Sequence, residues 1–257
     1  MRKFILYAVL VLLIAATATL AYGFINAKRI RNFARDEKAV ETKNDFDGEL
    51  QEIEKYFHSQ DSTDAQALQA GAANYLARLA NLQNLTGTAQ KEIAGLDTPR
   101  IAQDTRKALT EYYSQTGEQA KNLRAIMSFI NDIFGVSQSF SQISESTTLS
   151  DIESFVSQAK EKSGSMNATN LPPELEPSGS QLVSSTGSFL DKMEKVATQK
   201  KEDPGELEQA YADFAKAQDE FSASAEKYIS FVQDLTPLKR KIDSELNAFA
   251  GVYFDLK

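Results

Sequence analysis

Apolar residues recur at alternating steps of four and three in several long stretches of this chain, and this spacing constrains the fold more than any other feature. The pattern occupies four stretches: Leu68 to Leu96, Thr105 to Ile133, Leu175 to Val196 and Leu207 to Leu235. Such steps keep successive side chains on one face of an α-helix, whereas a half-buried strand alternates apolar and polar residues. The sequence therefore predicts an all-α protein, an elongated antiparallel helical bundle of about five to seven helices that pack through apolar stripes.

Hydroxyl and proline residues mark where some of these helices are expected to begin. Thr98 and Pro99 place a hydroxyl at an N-cap and a proline at the first helical position. Ser150 and Glu153 have the spacing of a capping box. Residues 160–177 are polar and contain several Gly, Asn, Ser and Pro residues, a composition typical of a long loop or hinge.

An uncharged, largely apolar run from Phe4 to Ala27 precedes the bundle. Its length, about 24 residues or about 36 Å of helix, is enough to cross a hydrocarbon core of about 30 Å. Two interpretations fit this run, a retained transmembrane anchor or a cleaved signal peptide. Arg2 and Lys3 precede it, and the small residues 16–18 could form a cleavage site. The run stays apolar well beyond residue 18, so we predict that it is an anchor.

Basic residues flank both ends of the apolar run, so two orientations in the membrane are consistent with the sequence. Lys28, Arg29, Arg31 and Arg35 follow it, and by the positive-inside rule they would keep the following chain in the cytoplasm. A very short, basic N-terminus is typical of exported chains, however, and long domains translocate largely regardless of charge. We therefore expect the bulk of the chain to lie outside the cytoplasm, with these residues near anionic head groups.

These features divide the chain into three parts. Residues 1–27 are expected to form the signal-anchor helix, residues 28–60 a juxtamembrane helix, and residues 61–257 the helical bundle. Within the bundle, a hinge is expected near residues 160–177.

Composition and motif content exclude several kinds of chemistry. The net charge of -8 argues against nucleic-acid binding, which needs a basic face. The chain has no cysteine, which rules out disulfides, thiolate metal sites and a cysteine nucleophile. It also lacks a phosphate-binding glycine loop, a nucleophile elbow and the zinc-protease histidine motif. No motif places the chain in a known family.

His58 is the sole histidine and is therefore the first candidate for a site. Glu54 lies four residues earlier and could share its helix face, but a single carboxylate–imidazole pair would bind a metal weakly. We therefore interpret His58 as an ordinary residue near a helix end. The sequence predicts no catalytic residues, no metal ligands and no cofactor, and we expect that the protein is not an enzyme.

The favoured function is that of a scaffold or protein-interaction module at the cell envelope. Its expected partners are membrane lipid, through the N-terminal helix, and another protein. An alternative is a small-molecule or ion sensor with a pocket between helices, lined by tyrosines. The tyrosines in question are Tyr75, Tyr112, Tyr113, Tyr211 and Tyr228. A hydrolase of unknown type is a third interpretation.

Overall fold

A computed structural model describes the backbone of most of the chain. The described residues are 2–44, 48–53, 65–140, 147–199, 204–230 and 235–251, and their side chains are described for 22–44, 48–53, 71–140, 147–198, 205–229 and 235–249.

Every regular element among the described residues is helical. The α-helices are α1 (Arg2–Lys43), α2 (Ala65–Gly95), α3 (Gln103–Ser139), α4 (Leu149–Ser163), α5 (Glu176–Gln199), α6 (Pro204–Ser230) and α7 (Thr236–Gly251). Two short 3-10 turns, Arg100–Ala102 and Ala168–Asn170, precede α3 and α5. Residues 48–53 are also helical. The predicted all-α class, with a helical bundle of about seven helices, is confirmed.

The transmembrane helix predicted within residues 1–27 gains no support from the structure. Among the described residues, no helix combines the length and the apolar character that a membrane span requires. The backbone of this segment is the first part of α1. Its side chains up to residue 21, which carry most of the predicted span, lie outside the described residues.

The helices form two compact units. Unit 1 comprises residues 1–51, 82–117 and 234–257, and unit 2 comprises residues 52–81 and 118–233. α2 and α3 each contribute to both units.

Unit 2 is built around an apolar cluster supplied by α3 to α6 and the connection before α5. Its buried members are Ile126, Phe129, Ile133, Val136, Ala159, Met166, Ala168, Leu171, Leu175, Leu182, Leu190, Ala217, Phe221 and Ala225. The segment suggested as a hinge therefore contributes several side chains to this core. Lys160 ties α4 to α5 through ion pairs to Asp191 and Glu194, both at 2.7 Å.

In unit 1, α1 packs against α7, with segments of α2 and α3 beside them. The largest buried side chain of α1 is Phe33, and Ile242 and Leu246 are buried on α7. Two polar contacts add to this packing. Thr105 of α3 donates a hydrogen bond to Glu245 of α7 at 2.8 Å, and Lys43 of α1 pairs with Glu92 of α2 at 2.5 Å.

The apolar stripes are confirmed in part, because some stripe residues lie outside the core. On α6, Phe221 is buried, as is Ala210, whereas Tyr211 is 56 % exposed. Eleven residues at about 100° each come within about 20° of three full turns, and ten residues fall about 80° short. Measured from Phe221, Ala210 therefore lies on the same face of α6, whereas Tyr211 lies about 80° around the helix.

Two of the predicted helix starts are wrong. The cap of α4 is Thr148, whose hydroxyl accepts a hydrogen bond from the Asp151 amide, while the Asp151 carboxylate accepts one from the Thr148 amide. The box thus begins two residues before Ser150. Thr98 does not cap a helix either: its hydroxyl donates to the Leu96 carbonyl at 3.1 Å, and the chain enters a 3-10 turn.

Candidate functional site

The main candidate site is an apolar groove between α3 and α6 of unit 2. It has a volume of about 330 Å³. Its lining residues are Ile130, Ile133, Gln218, Phe221, Ser222, Ala225, Glu226 and Ile229. We call this feature the α3–α6 groove.

The floor of the α3–α6 groove belongs to the core of unit 2, and its edges are open. Ile133, Phe221 and Ala225 are buried members of the core cluster. The Phe221 ring packs against Phe129 with the centroids 4.9 Å apart, which holds the floor in place. At the edges, Ile130 and Ile229 are each 37 % exposed. The groove thus presents apolar surface to the solvent on a fixed base.

Polar groups of the groove lie on α6. Gln218, Ser222 and Glu226 follow one another at steps of four, so they share one side of that helix. Glu226 is the only ionisable residue in the lining. The groove thus combines an apolar floor with one polar edge, and its lone carboxylate offers no acid–base pair.

A second candidate feature, in unit 1, is a cluster of charged residues between α1 and α7. Glu37 and Glu41 lie on α1, and Lys239 and Asp243 lie on α7. The Lys239 ammonium donates to the carboxylates of Glu41 and Asp243, to the latter at 2.8 Å. Glu37 is only 2 % exposed, and its Oε1 has no hydrogen-bond partner among the described residues.

Burial changes the protonation of this cluster. Loss of water raises the pKa of Glu37 to about 7, and the negative charges of Glu41 and Asp243 add to this rise while Lys239 opposes it. Burial alone would lower the pKa of Lys239, but its hydrogen bonds to Asp243 and Glu41 outweigh that effect, so its pKa is raised. Lys239 is therefore a permanent cation, and Glu37 changes charge near neutral pH.

A metal site is not evident at either feature. In the described part of the chain, no three His, Cys, Asp or Glu side chains are grouped so that they could hold a metal ion. Glu54 and His58, the pair considered from the sequence, lie outside the described residues.

The five tyrosines of the alternative sensor pocket fall into both units. Tyr112 and Tyr113 are buried in unit 1, with their rings edge to face at 5.4 Å. In unit 2, Tyr75 is buried, Tyr228 is half-buried and Tyr211 is exposed. Three of the five are thus core residues.

Sequence reasoning missed both the α3–α6 groove and the Glu37 cluster. For Glu37 a signal existed, because Ile30, Phe33, Glu37, Val40 and Asn44 follow one another at steps of three and four and all are buried. A carboxylate within such a stripe indicates a buried charge. For the groove, Ile130 lies within the apolar stripe from Thr105 to Ile133, and no local signal shows that it is exposed.

Comparison with protein-family models, curated proteins and solved structures finds no match to this chain.

Proposed function

We propose that the protein is a membrane-anchored helical module that binds a protein partner at the cell envelope, with the bulk of its chain outside the cytoplasm. The observation that carries the proposal is the α3–α6 groove. The anchor is the apolar run Phe4 to Ala27. It is supported by the continuity of α1, a single helix of 42 residues that carries the run directly into unit 1.

The groove favours an amphipathic helix as its ligand. Such a helix places apolar side chains at steps of three and four, and these would cover Ile130 and Ile229 and rest on the Phe221 floor. Glu226 on the α6 side would favour a basic residue at the edge of the partner helix, as would the net charge of -8.

The proposal is tested with full-length protein isolated from its native membranes. A photo-crosslinker on a single cysteine at Ser222→Cys captures what occupies the groove, since the chain has no other cysteine. We expect capture to fall strongly in the double variant Ile130→Glu with Ile229→Glu, because two carboxylates would be desolvated on binding.

Leu149→Glu is the matched control, because Leu149 is 40 % exposed in unit 2 and does not line the groove. Capture that is equal in the double variant and in the control, with unchanged helical content, would show that the groove is not the binding site.

Mass spectrometry of the same purified protein tests whether the N-terminal anchor is retained. A new N-terminus at Thr19 or Tyr22 would show cleavage and remove that part of the proposal.

A further inference from the structure

Apolar side chains are exposed at one end of unit 1. Tyr22, Phe24 and Ile25 on α1 are exposed, Tyr22 by 72 %, and Ile101 in the turn before α3 is exposed by 65 %. Tyr22 and Ile101 line one groove, whereas Phe24 lies on the opposite side of α1 from Tyr22. Large apolar groups exposed around a helix mark a surface that contacts something other than water.

The turn lies directly against this part of α1. The two segments line a shared open groove of about 410 Å³, formed by Tyr22, Gly23, Asn26, Ile30, Pro99, Arg100 and Ile101. Tyr22, Asn26 and Ile30 are four residues apart, so one face of α1 borders the turn.

An exposed charge pair joins α1 to Asp97, two residues before the turn. The Arg29 guanidinium donates two hydrogen bonds to the Asp97 carboxylate, from Nη2 at 2.7 Å and from Nε at 3.2 Å. This two-bond geometry fixes orientation as well as distance. Ile101 thus lies beside α1, next to a segment that this pair links to the same helix.

We infer that the turn Pro99 to Ile101 is a second membrane contact, in which Ile101 enters the interface of the bilayer that α1 crosses and Arg100 meets lipid phosphates. The inference rests on the proposed anchor. Tyr22 precedes Ala27, the last residue of the apolar run, by five residues, or about 7 Å of helix. The turn therefore borders α1 at the level where hydrocarbon gives way to head groups.

Charge at this level favours lipid over a protein partner. Lys28, Arg31 and Arg100 are exposed close to the apolar side chains, and the nearby Asp97 is neutralised by Arg29. Cations beside an apolar tip match a membrane interface that contains anionic lipid. The patch is also continuous along α1 with the apolar run itself. Two contacts instead of one would restrain unit 1 from turning about the anchor.

The test uses the full-length chain in lipid nanodiscs that contain phosphatidylcholine and phosphatidylglycerol. Because the chain has no cysteine, one fluorophore can be attached at Ile101→Cys, at Ser114→Cys or at Leu13→Cys. Ser114 is an exposed residue of α3 in unit 1 and is the control for distance from the membrane. Quenching by spin-labelled lipid measures the contact of each probe with the bilayer.

We expect the probe at position 101 to be quenched several-fold more than the probe at 114. In the anionic discs, Arg100→Gln should reduce quenching at 101, whereas Lys107→Gln, the same charge change at an exposed site on α3, should not. Equal effects of these two variants would refute the head-group contact. Equal quenching at 101 and 114, with strong quenching at position 13, would overturn the inference and leave the anchor intact. Absence of quenching at 13 would overturn the anchor and the inference together.

Discussion

Replacing Glu37 with glutamine should stabilise unit 1 at about pH 8 and leave its stability almost unchanged at about pH 4. The folded protein holds the Glu37 proton with a pKa of about 7, against an ordinary value of 4.5. Between these values the folded state binds more protons than the unfolded state, so stability falls as pH rises through this window. The free energy of unfolding of unit 1 is therefore highest below pH 4.5, where Glu37 is protonated in both states. It falls as the pH rises and reaches its lower level above pH 7.

The size of the effect follows from the two pKa values. A difference of about 2.5 pKa units corresponds to about 3 kcal/mol at full ionisation. Glutamine has the shape of glutamic acid and cannot ionise, so the variant avoids this loss. The value is an upper bound, since the glutamine amide must also find hydrogen-bond partners at this buried site.

Hydrogen exchange with mass spectrometry on the full-length protein in a mild detergent measures the effect within each unit. After correction for the intrinsic pH dependence of exchange, peptides of α7 should gain up to about 300-fold protection at pH 8 in Glu37→Gln. Peptides of α5, in unit 2, should not change. Glu111→Gln removes a carboxylate from an exposed position of unit 1 and should have no such effect. Parallel pH profiles for Glu37→Gln and the wild type would refute the raised pKa of Glu37.

Two further predictions concern helix packing and helix starts in unit 2. A Cβ at Gly179 would lie 2.4 Å from Leu171 Cδ1, so Gly179→Ala should destabilise unit 2 by about 1–3 kcal/mol in thermal or urea unfolding. Nothing lies within 4 Å of such a Cβ at Gly187, so Gly187→Ala should stabilise by up to about 1 kcal/mol, and the same sign for both would contradict the packing described. Thr148→Ala should cost about 1 kcal/mol by loss of the α4 cap, whereas Ser150→Ala should be close to neutral, and equal losses would contradict this assignment.

The helical class was predictable because it depends on local spacing. Steps of four and three between apolar residues report the angle around a helix, and no distant contact is needed to interpret them. Helix starts were less predictable, because Thr148 and Ser150 offer similar hydroxyls within three residues of an acidic side chain. The choice between them depends on where the preceding chain leaves the helical conformation.

The sequence by itself determined that the described chain is helical and which faces of its helices are apolar. Only the tertiary structure decided which of those faces are covered. Tyr211 and Ile130 lie on apolar stripes but are exposed, while other residues of the same stripes are buried. Glu37 lost its water because α7, about 200 residues later in the chain, packs over it and supplies Lys239. Burial is a property of the surface that arrives from elsewhere in the fold, so the spacing of residues along one helix cannot determine it.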